Sequence, residues 1–226
     1  MAKKSTRRFS NPKWCICTEG KTEEIYLKAY CEDIGIKDLV DINSECPNCI
    51  AQSKNACGRQ HRSLIEQIQR CNKSSKYERM IAVHDFDDDG DKKTIESFDD
   101  ALEIGRQTDI SVYYSIPCFE YWLLLHNNPL YADLTRDVCS NKVKNYINSK
   151  RKEKGEAPLH KGKYKTLSDL YRYFGGKDGV KTATHNAMKM FPNNEPPAKP
   201  STIRPSTNFY LLLDELRAFA DKHKRG

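Results

Sequence analysis

Between residues 14 and 117 the sequence alternates short apolar runs with amphipathic stretches, and this alternation limits the possible folds more than any other feature. Three stretches between the runs carry apolar residues at helical spacing. Strands that alternate with helices predict a parallel α/β sheet with right-handed crossovers. The predicted strands are WCICTEG at 14–20, DLVDIN at 38–43, RMIAVHDF at 79–86 and DISVYYSIP at 109–117.

Beyond residue 125 the pattern changes from this alternation to helices alone, and no further strand is predicted. The segment 191–206 is rich in proline and predicts an extended connector. We therefore predict an α/β domain over 10–125. A helical region over 126–226 is expected to pack on it and contribute to nucleic-acid binding. Helical spacing recurs at about 133–149, 163–174, 179–190 and 207–222.

Composition restricts the class of protein. The chain has 226 residues and a net charge of +7, and its apolar runs fall short of the roughly 20 residues that a membrane helix needs. Its N-terminus lacks the apolar core of a signal peptide. These features predict a soluble, cytoplasmic protein without a membrane partner. The opening MAKKSTRRFSNPK is a basic arm, either a solvated terminus or a tail that contacts phosphates.

The stretch AVHDFDDDGD at 82–91 contains five aspartates within seven positions. One interpretation is an EF-hand, because the acids and the glycine from Asp85 to Glu96 fit the spacing of a calcium loop. An EF-hand requires a helix before the loop, whereas this loop follows an apolar run typical of a strand. A second interpretation is a wet loop that caps the helix near Thr94, which accounts for Asp89 better than for Asp85 or Asp87.

The third interpretation, which we favour, is a divalent metal site. In parallel α/β sheets ligands bind outside the carboxyl ends of the strands. Glu19 follows the first predicted strand, and Asp85 and Asp87 end the third, with both aspartates on one face. Carboxylate oxygens suit Mg²⁺ or Mn²⁺, and like charges packed this closely favour a bound cation.

Four segments resemble the RloB-like proteins, which are Toprim-domain proteins of bacterial phage-defence and restriction-linked loci. These segments are CTEGKTEE, VHDFDDD, SIPCFEYWLLLH and RPSTNFYLLLDEL. The resemblance implies a Toprim fold whose catalytic carboxylates are Glu19, Asp85 and Asp87. The same residues would bind the metal, and Asp89 extends the run as a further candidate ligand.

The resemblance implies a nuclease that hydrolyses phosphodiester bonds of RNA or DNA with Mg²⁺ or Mn²⁺ during anti-phage defence. Gly20 and Lys21, where a helix opens, are predicted to receive a substrate phosphate. Glu23 or Glu24 is either a further ligand or an acid matched to the helix start. The alternative function is a non-catalytic Toprim module, a sensor or scaffold that binds nucleic acid or a partner ATPase.

Glu120 lies in the very apolar segment PCFEYWLLLHNN. A buried carboxylate needs a cationic, metal or hydrogen-bonding partner, so Glu120 serves either the substrate side of the site or a structural ion pair. His84 is expected to face away from Asp85 and to pack at the strand end, with a catalytic role as the alternative.

Two further patterns indicate ligands. Cys46, Cys49, Cys57 and His61 are spaced C-x2-C-x7-C-x3-H, which suits either a structural Zn²⁺ site or ordinary reduced thiols in a loop. The stretches KVKNYINSKRKEKGE, HKGKYKTLSDLYRYF and DKHKRG mix basic and aromatic residues. Such a mixture indicates a single-stranded nucleic-acid partner or a set of solvated helix faces.

Overall fold

The computed structural model describes residues 14–44, 65, 68, 77–86, 92–129, 134–160, 162–191 and 199–224. In the range 92–129 it describes the side chains from residue 95 onward. Within these ranges no helix combines the length and apolar character needed to cross a bilayer. The strands are β1 Trp14–Thr18, β2 Val40–Asn43, β3 Arg79–Asp85, β4 Ile110–Ile116 and β5 Ser206–Thr207. The helices are α1 Lys21–Asp33, α2 Lys92–Gln107, α3 Phe119–Leu124, α4 Arg136–Glu153, α5 Leu170–Tyr173, α6 Gly176–Met188 and α7 Phe209–Lys224.

The strands form one sheet in the order β2-β1-β3-β4-β5. The first four strands run parallel, and β5 is antiparallel to β4. β1 and β3 lie inside the sheet and are buried along almost their whole length, as expected for strands covered on both faces. The prediction of an α/β fold with a mainly parallel sheet, flanking helices and C-terminal helices is confirmed.

Side chains alternate between two covered faces of the sheet. Ile16 belongs to the large cluster that α1 and the C-terminal helices complete, whereas its neighbour Cys17 belongs to a smaller cluster on the opposite face. Ile65 and Ile68 are helical and fully buried in that smaller cluster, where the sequence predicted a helix. The large cluster therefore covers the α1 face of the sheet, and the smaller cluster covers the opposite face.

The C-terminal helices share this large cluster with the sheet. It includes residues of β1, of α1 and of each helix from α3 to α7. The rings of Trp14 and Phe219 pack with their centroids 4.4 Å apart, and the Tyr30 hydroxyl donates to the Leu213 carbonyl over 3.0 Å. Segments from both predicted regions therefore contribute to one hydrophobic core.

β5 corrects the prediction that no strand follows the fourth. It has only two residues, so it carries no period-two pattern that the sequence could reveal. Hydrogen bonds hold it against β4: the Thr207 hydroxyl donates to the Tyr114 carbonyl over 2.8 Å, and the Asn208 side chain accepts from the Tyr114 N–H over 2.6 Å. The strand lies partly within the proline-rich segment predicted as a connector.

The helix predicted over 163–174 is divided into two short pieces. A 3-10 turn covers Lys163–Thr166, and the α-helix α5 begins at Leu170. Between them Leu167 has an extended backbone with ψ 119°, which interrupts the helical hydrogen-bond ladder. The turn directs Tyr164 into the core, where its side chain is fully buried.

Candidate active site

Two neighbouring strands, β1 and β3, end side by side at the carboxyl edge of the sheet. Glu19 follows β1 directly, and its N–H donates to the Val83 carbonyl over 3.1 Å. Asp85 is the last residue of β3 and is buried. The Glu19 Oε2 atom accepts a hydrogen bond from the Asp85 N–H over 3.1 Å. The structure thus brings these two predicted site residues together.

The two residues at the end of β3 lie on opposite faces of the sheet. Ile81 and Val83 belong to the cluster beside α1, so strand alternation directs Asp85 toward that face. His84 is buried with 2% exposure, as expected for a histidine packed at a strand end. Its Nδ1 atom is 3.8 Å from Glu19 Oε2, so His84 also borders the acidic edge.

Glu23, in the first turn of α1, adds a buried acid that the sequence left undecided. Its side chain is 3% exposed, and one carboxylate oxygen would be 2.6 Å from a Cβ atom on Gly20. Burial raises the pKa of Glu23 to about 8, and the negative charges of Glu120 and Glu19 act in the same direction. Because Gly20 has no Cβ atom, it leaves space for the Glu23 carboxylate, on which the charges of Glu120 and Glu19 act.

Glu24, the next residue, belongs to a different network. It accepts from the Lys21 ammonium over 2.8 Å, from the Lys28 ammonium over 2.6 Å and from the N–H of Ser44 over 3.0 Å. Burial alone would raise the pKa of Glu24, but these hydrogen bonds lower it to about 2. The structure therefore places Lys21, a predicted phosphate contact, in an ion pair with Glu24 within α1, and the bond from Ser44 ties Glu24 to the segment after β2.

Glu120, in the first turn of α3, is 2% exposed and has the partners that a buried carboxylate needs. Its Oε1 atom accepts from the Tyr164 hydroxyl over 2.8 Å and from the Lys165 ammonium over 2.9 Å. The Tyr164 oxygen also contacts Ser140 Oγ over 2.7 Å. Burial alone would raise the pKa of Glu120, but the charge of Lys165 and the hydrogen bonds from Lys165, Tyr164 and Cys118 lower it.

The charges of Glu120 and Asp85 act on the same two neighbours, Cys118 and Lys165. A hydrogen bond with Cys139 and burial raise the pKa of the Cys118 thiol, and the negative charges of Glu120 and Asp85 raise it further. Lys165 also interacts with both carboxylates. Sequence reasoning missed Lys165, because the only signal was a lysine in the basic stretch HKGKYKTL, 45 residues beyond Glu120.

Several predicted ligands lie outside the residues that the structure describes. These are Asp87 and Asp89 of the acidic run and the four candidate zinc ligands Cys46, Cys49, Cys57 and His61. Over the described ranges, no group of three or more histidine, cysteine or acidic side chains is arranged to hold a metal ion. Of the four predicted magnesium ligands, Glu19 and Asp85 are thus the two whose positions are known.

The residues before Asp85 bear on the calcium interpretation of the aspartate run. β3 runs without interruption from Arg79 to Asp85 as an inner strand of the sheet, parallel to both of its neighbours. The first candidate calcium ligand therefore follows a strand, whereas an EF-hand loop follows a helix. The structure disagrees with the EF-hand interpretation.

The aromatic residues of the basic stretch 160–174 are mostly part of the core. Tyr164, Tyr171 and Phe174 are buried. Tyr173 is partly exposed, and the Lys154 ammonium lies 4.9 Å from its ring centroid. Of the rings in this stretch, Tyr173 is therefore the one positioned at the surface beside a positive charge.

Comparison with known proteins gives one match. The model of the family described as RloB-like protein matches residues 14–216, which include the sheet, α1 and the first half of α7. Searches of the curated proteins and of the solved structures found no match. The matched region contains Glu19, Glu23, Asp85, Glu120 and Lys165.

Proposed function

Because the chain belongs to the RloB-like family, we propose that it is a metal-dependent nuclease that hydrolyses phosphodiester bonds of RNA or DNA in bacterial anti-phage defence. The observation that carries the proposal is the hydrogen bond between the Glu19 carboxylate and the Asp85 N–H. It lies at the carboxyl edge of parallel strands, where open α/β sheets bind ligands. A Toprim-type acidic site would occupy the same edge.

The chemistry of the described donors fits a hard divalent cation. Glu19 and Asp85 offer carboxylate oxygens at one edge, and Mg²⁺ and Mn²⁺ prefer such ligands. Burial opposes the ionisation of Glu23, and the negative charges of Glu120 and Glu19 oppose it further, so these neighbouring carboxylates already bring negative charge to this edge. When bound by Glu19 and Asp85, with Asp87 and Asp89 as further predicted ligands, the metal would activate water and neutralise charge on the leaving oxygen.

The protein's own groups would position the reacting partners. The Asp85 N–H holds one oxygen of the Glu19 carboxylate, which fixes the orientation of that carboxylate at the sheet edge. Glu19 would then act as a metal ligand or as the base that orients the attacking water. The N-terminus of α1 at Gly20 offers backbone N–H groups to a substrate phosphate.

Cleavage assays test this proposal directly. Purified protein is incubated with labelled RNA and DNA oligonucleotides in Mg²⁺, in Mn²⁺ and in EDTA. The wild type is expected to cut in either metal and not in EDTA. Asp85→Ala is expected to lower the cleavage rate by about 100-fold or more, because it removes a ligand. Glu32→Ala is the matched control, since Glu32 is an exposed acid of α1 that pairs with Lys37.

The outcomes separate the two candidate functions. Cleavage by Asp85→Ala at the wild-type rate contradicts the proposed site. An oligonucleotide that binds without being cut, with each metal present, favours the non-catalytic sensor or scaffold. Phage challenge of bacteria that express the wild type or Asp85→Ala then tests the defence role. Protection by the wild type alone is the expected result, followed by sequencing of the cleaved RNA and DNA.

A further inference from the structure

Lys165 brings a positive charge to the acidic edge from a distant part of the chain. It lies in the 3-10 turn Lys163–Thr166, which follows Gly162 in the left-handed conformation with φ 80°. The turn buries Tyr164 completely and leaves the Lys165 side chain 36% exposed. Tyr164 thus anchors the turn while the neighbouring lysine extends along Glu120 toward solvent.

Glu120 does not use the whole hydrogen-bonding capacity of Lys165. The Glu120 carboxylate also accepts a hydrogen bond from Tyr164, so it has a second donor besides the ammonium. An ammonium group has three N–H donors, and its contact with Glu120, at 2.9 Å, accounts for one of them. The partly exposed lysine therefore has donor capacity for a ligand that approaches from solvent.

Two further charges indicate where that capacity lies. Asp85 pairs with Ser115 of β4, and Glu120 follows β4 in the first turn of α3, so the Lys165 ammonium on Glu120 lies at the same edge of the sheet as Asp85. The negative charge of Asp85 and the positive charge of Arg136 at the start of α4 both act on Lys165. The position beside Asp85 is where a nuclease would hold the phosphate that it cuts.

We propose that Lys165 binds a phosphate of the nucleic-acid substrate beside the acidic edge, and that Glu120 and Tyr164 are positioning residues that aim its ammonium. The identity of the substrate rests on the proposed nuclease function. The phosphate contact rests on the geometry of Lys165. It adds a substrate-contacting residue from the helical region to a site otherwise built by the sheet and α1.

Binding measured without metal tests the contact separately from cleavage. A labelled single-stranded RNA oligonucleotide and the DNA of the same sequence are titrated in EDTA over a series of salt concentrations. Each phosphate contact to a single strand contributes about 0.7 to the slope of log affinity against log salt. Lys165→Ala is expected to make the slope shallower by about 0.7. Lys181→Ala, which removes an exposed lysine paired with Asp178, is expected to leave it unchanged.

A double variant distinguishes a phosphate contact from a structural ion pair. Lys165→Ala leaves Glu120 buried without its cation, which threatens the fold. Lys165→Gln combined with Glu120→Gln replaces the pair by two neutral amides and keeps the net charge of the chain. If Lys165 binds phosphate, the double variant melts near the wild-type temperature and still has the shallower slope. A double variant with the wild-type slope overturns the inference.

The remaining outcomes are also decisive. A wild type whose affinity does not depend on salt, or a Lys181→Ala variant with the same loss as Lys165→Ala, overturns the phosphate contact. If the salt slope depends on Lys165 but the protein cuts neither RNA nor DNA with Mg²⁺ or Mn²⁺, the nuclease function is contradicted and the phosphate contact stands. If the wild type and Lys165→Ala both cut and bind the oligonucleotide with equal affinity and equal salt slope, the phosphate contact is contradicted and the nuclease function stands.

Discussion

Glu19 and Asp85 are 66 residues apart in sequence, yet the carboxylate of the first accepts a hydrogen bond from the backbone of the second over 3.1 Å. The donor belongs to β3 itself, and Thr18, the residue before Glu19, pairs with Val83 in the parallel ladder. The register of the two strands therefore sets the position of the Glu19 carboxylate. A shift of one residue would turn the side chains of β1 to the opposite face.

Glu19→Gln separates the charge of Glu19 from this hydrogen bond. The amide oxygen still accepts from the Asp85 N–H, so the free energy of unfolding, measured in urea, is expected to change by less than about 1 kcal/mol. The lost negative charge is expected to lower metal-dependent cleavage by about 10²- to 10⁴-fold, the range for a general base. A variant that unfolds like the wild type and also cuts at its rate would show that the charge has no role.

Gly20→Ala is expected to destabilise the fold through Glu23. The new Cβ would lie 2.6 Å from a carboxylate oxygen of the buried Glu23, so that side chain would have to shift. Overpacking of this kind costs about 1 to 3 kcal/mol, which urea unfolding measures. Combining Gly20→Ala with Glu23→Ala removes the clash, so Gly20→Ala should cost much less in the Glu23→Ala background. Equal costs in both backgrounds would contradict the proposed contact.

Much of the fold was predictable because each strand is marked by its own local pattern. Trp14 to Thr18 is a continuous apolar run closed by Glu19 and Gly20, as expected for an inner parallel strand, and the order of strands and helices follows from alternation. β5 was not predictable, since Ser206 and Thr207 are held by hydrogen bonds to β4 that depend on the folded sheet.

Of the candidate site, too, only part could be predicted from the sequence. Glu19 and Asp85 follow recognisable strands, so chain topology alone predicts that they meet. Lys165 reaches Glu120 through a turn between two short helical pieces, and no spacing in the sequence connects the two residues. Glu23 resembled an ordinary acid at a helix start, because burial under neighbouring charges depends on tertiary packing.

Glu23 is expected to make stability depend on pH. Its pKa in the folded protein is about 8, above the ordinary value of 4.5, so the folded state binds more protons than the unfolded chain between these values. Stability therefore falls as pH rises from 4.5 to 8, by up to about 1.4 kcal/mol per pH unit. Glu23→Gln cannot ionise and is expected to flatten this fall in urea unfolding in EDTA. Glu32→Gln, at an exposed position, serves as control, and a Glu23→Gln profile parallel to the wild type would contradict the assignment.

Tyr164→Phe tests the hydrogen bonds that hold Glu120. The Tyr164 oxygen lies 2.8 Å from Glu120 Oε1 and 2.7 Å from Ser140 Oγ, and phenylalanine removes both bonds with almost no change of shape. Because a buried carboxylate loses a donor, we expect a loss of about 1 to 3 kcal/mol in the free energy of unfolding. Ser140→Ala is the matched control: it keeps the bond to Glu120 and should cost about 0.5 to 1.5 kcal/mol. Equal losses in the two variants would mean that the bond to Glu120 contributes nothing to stability.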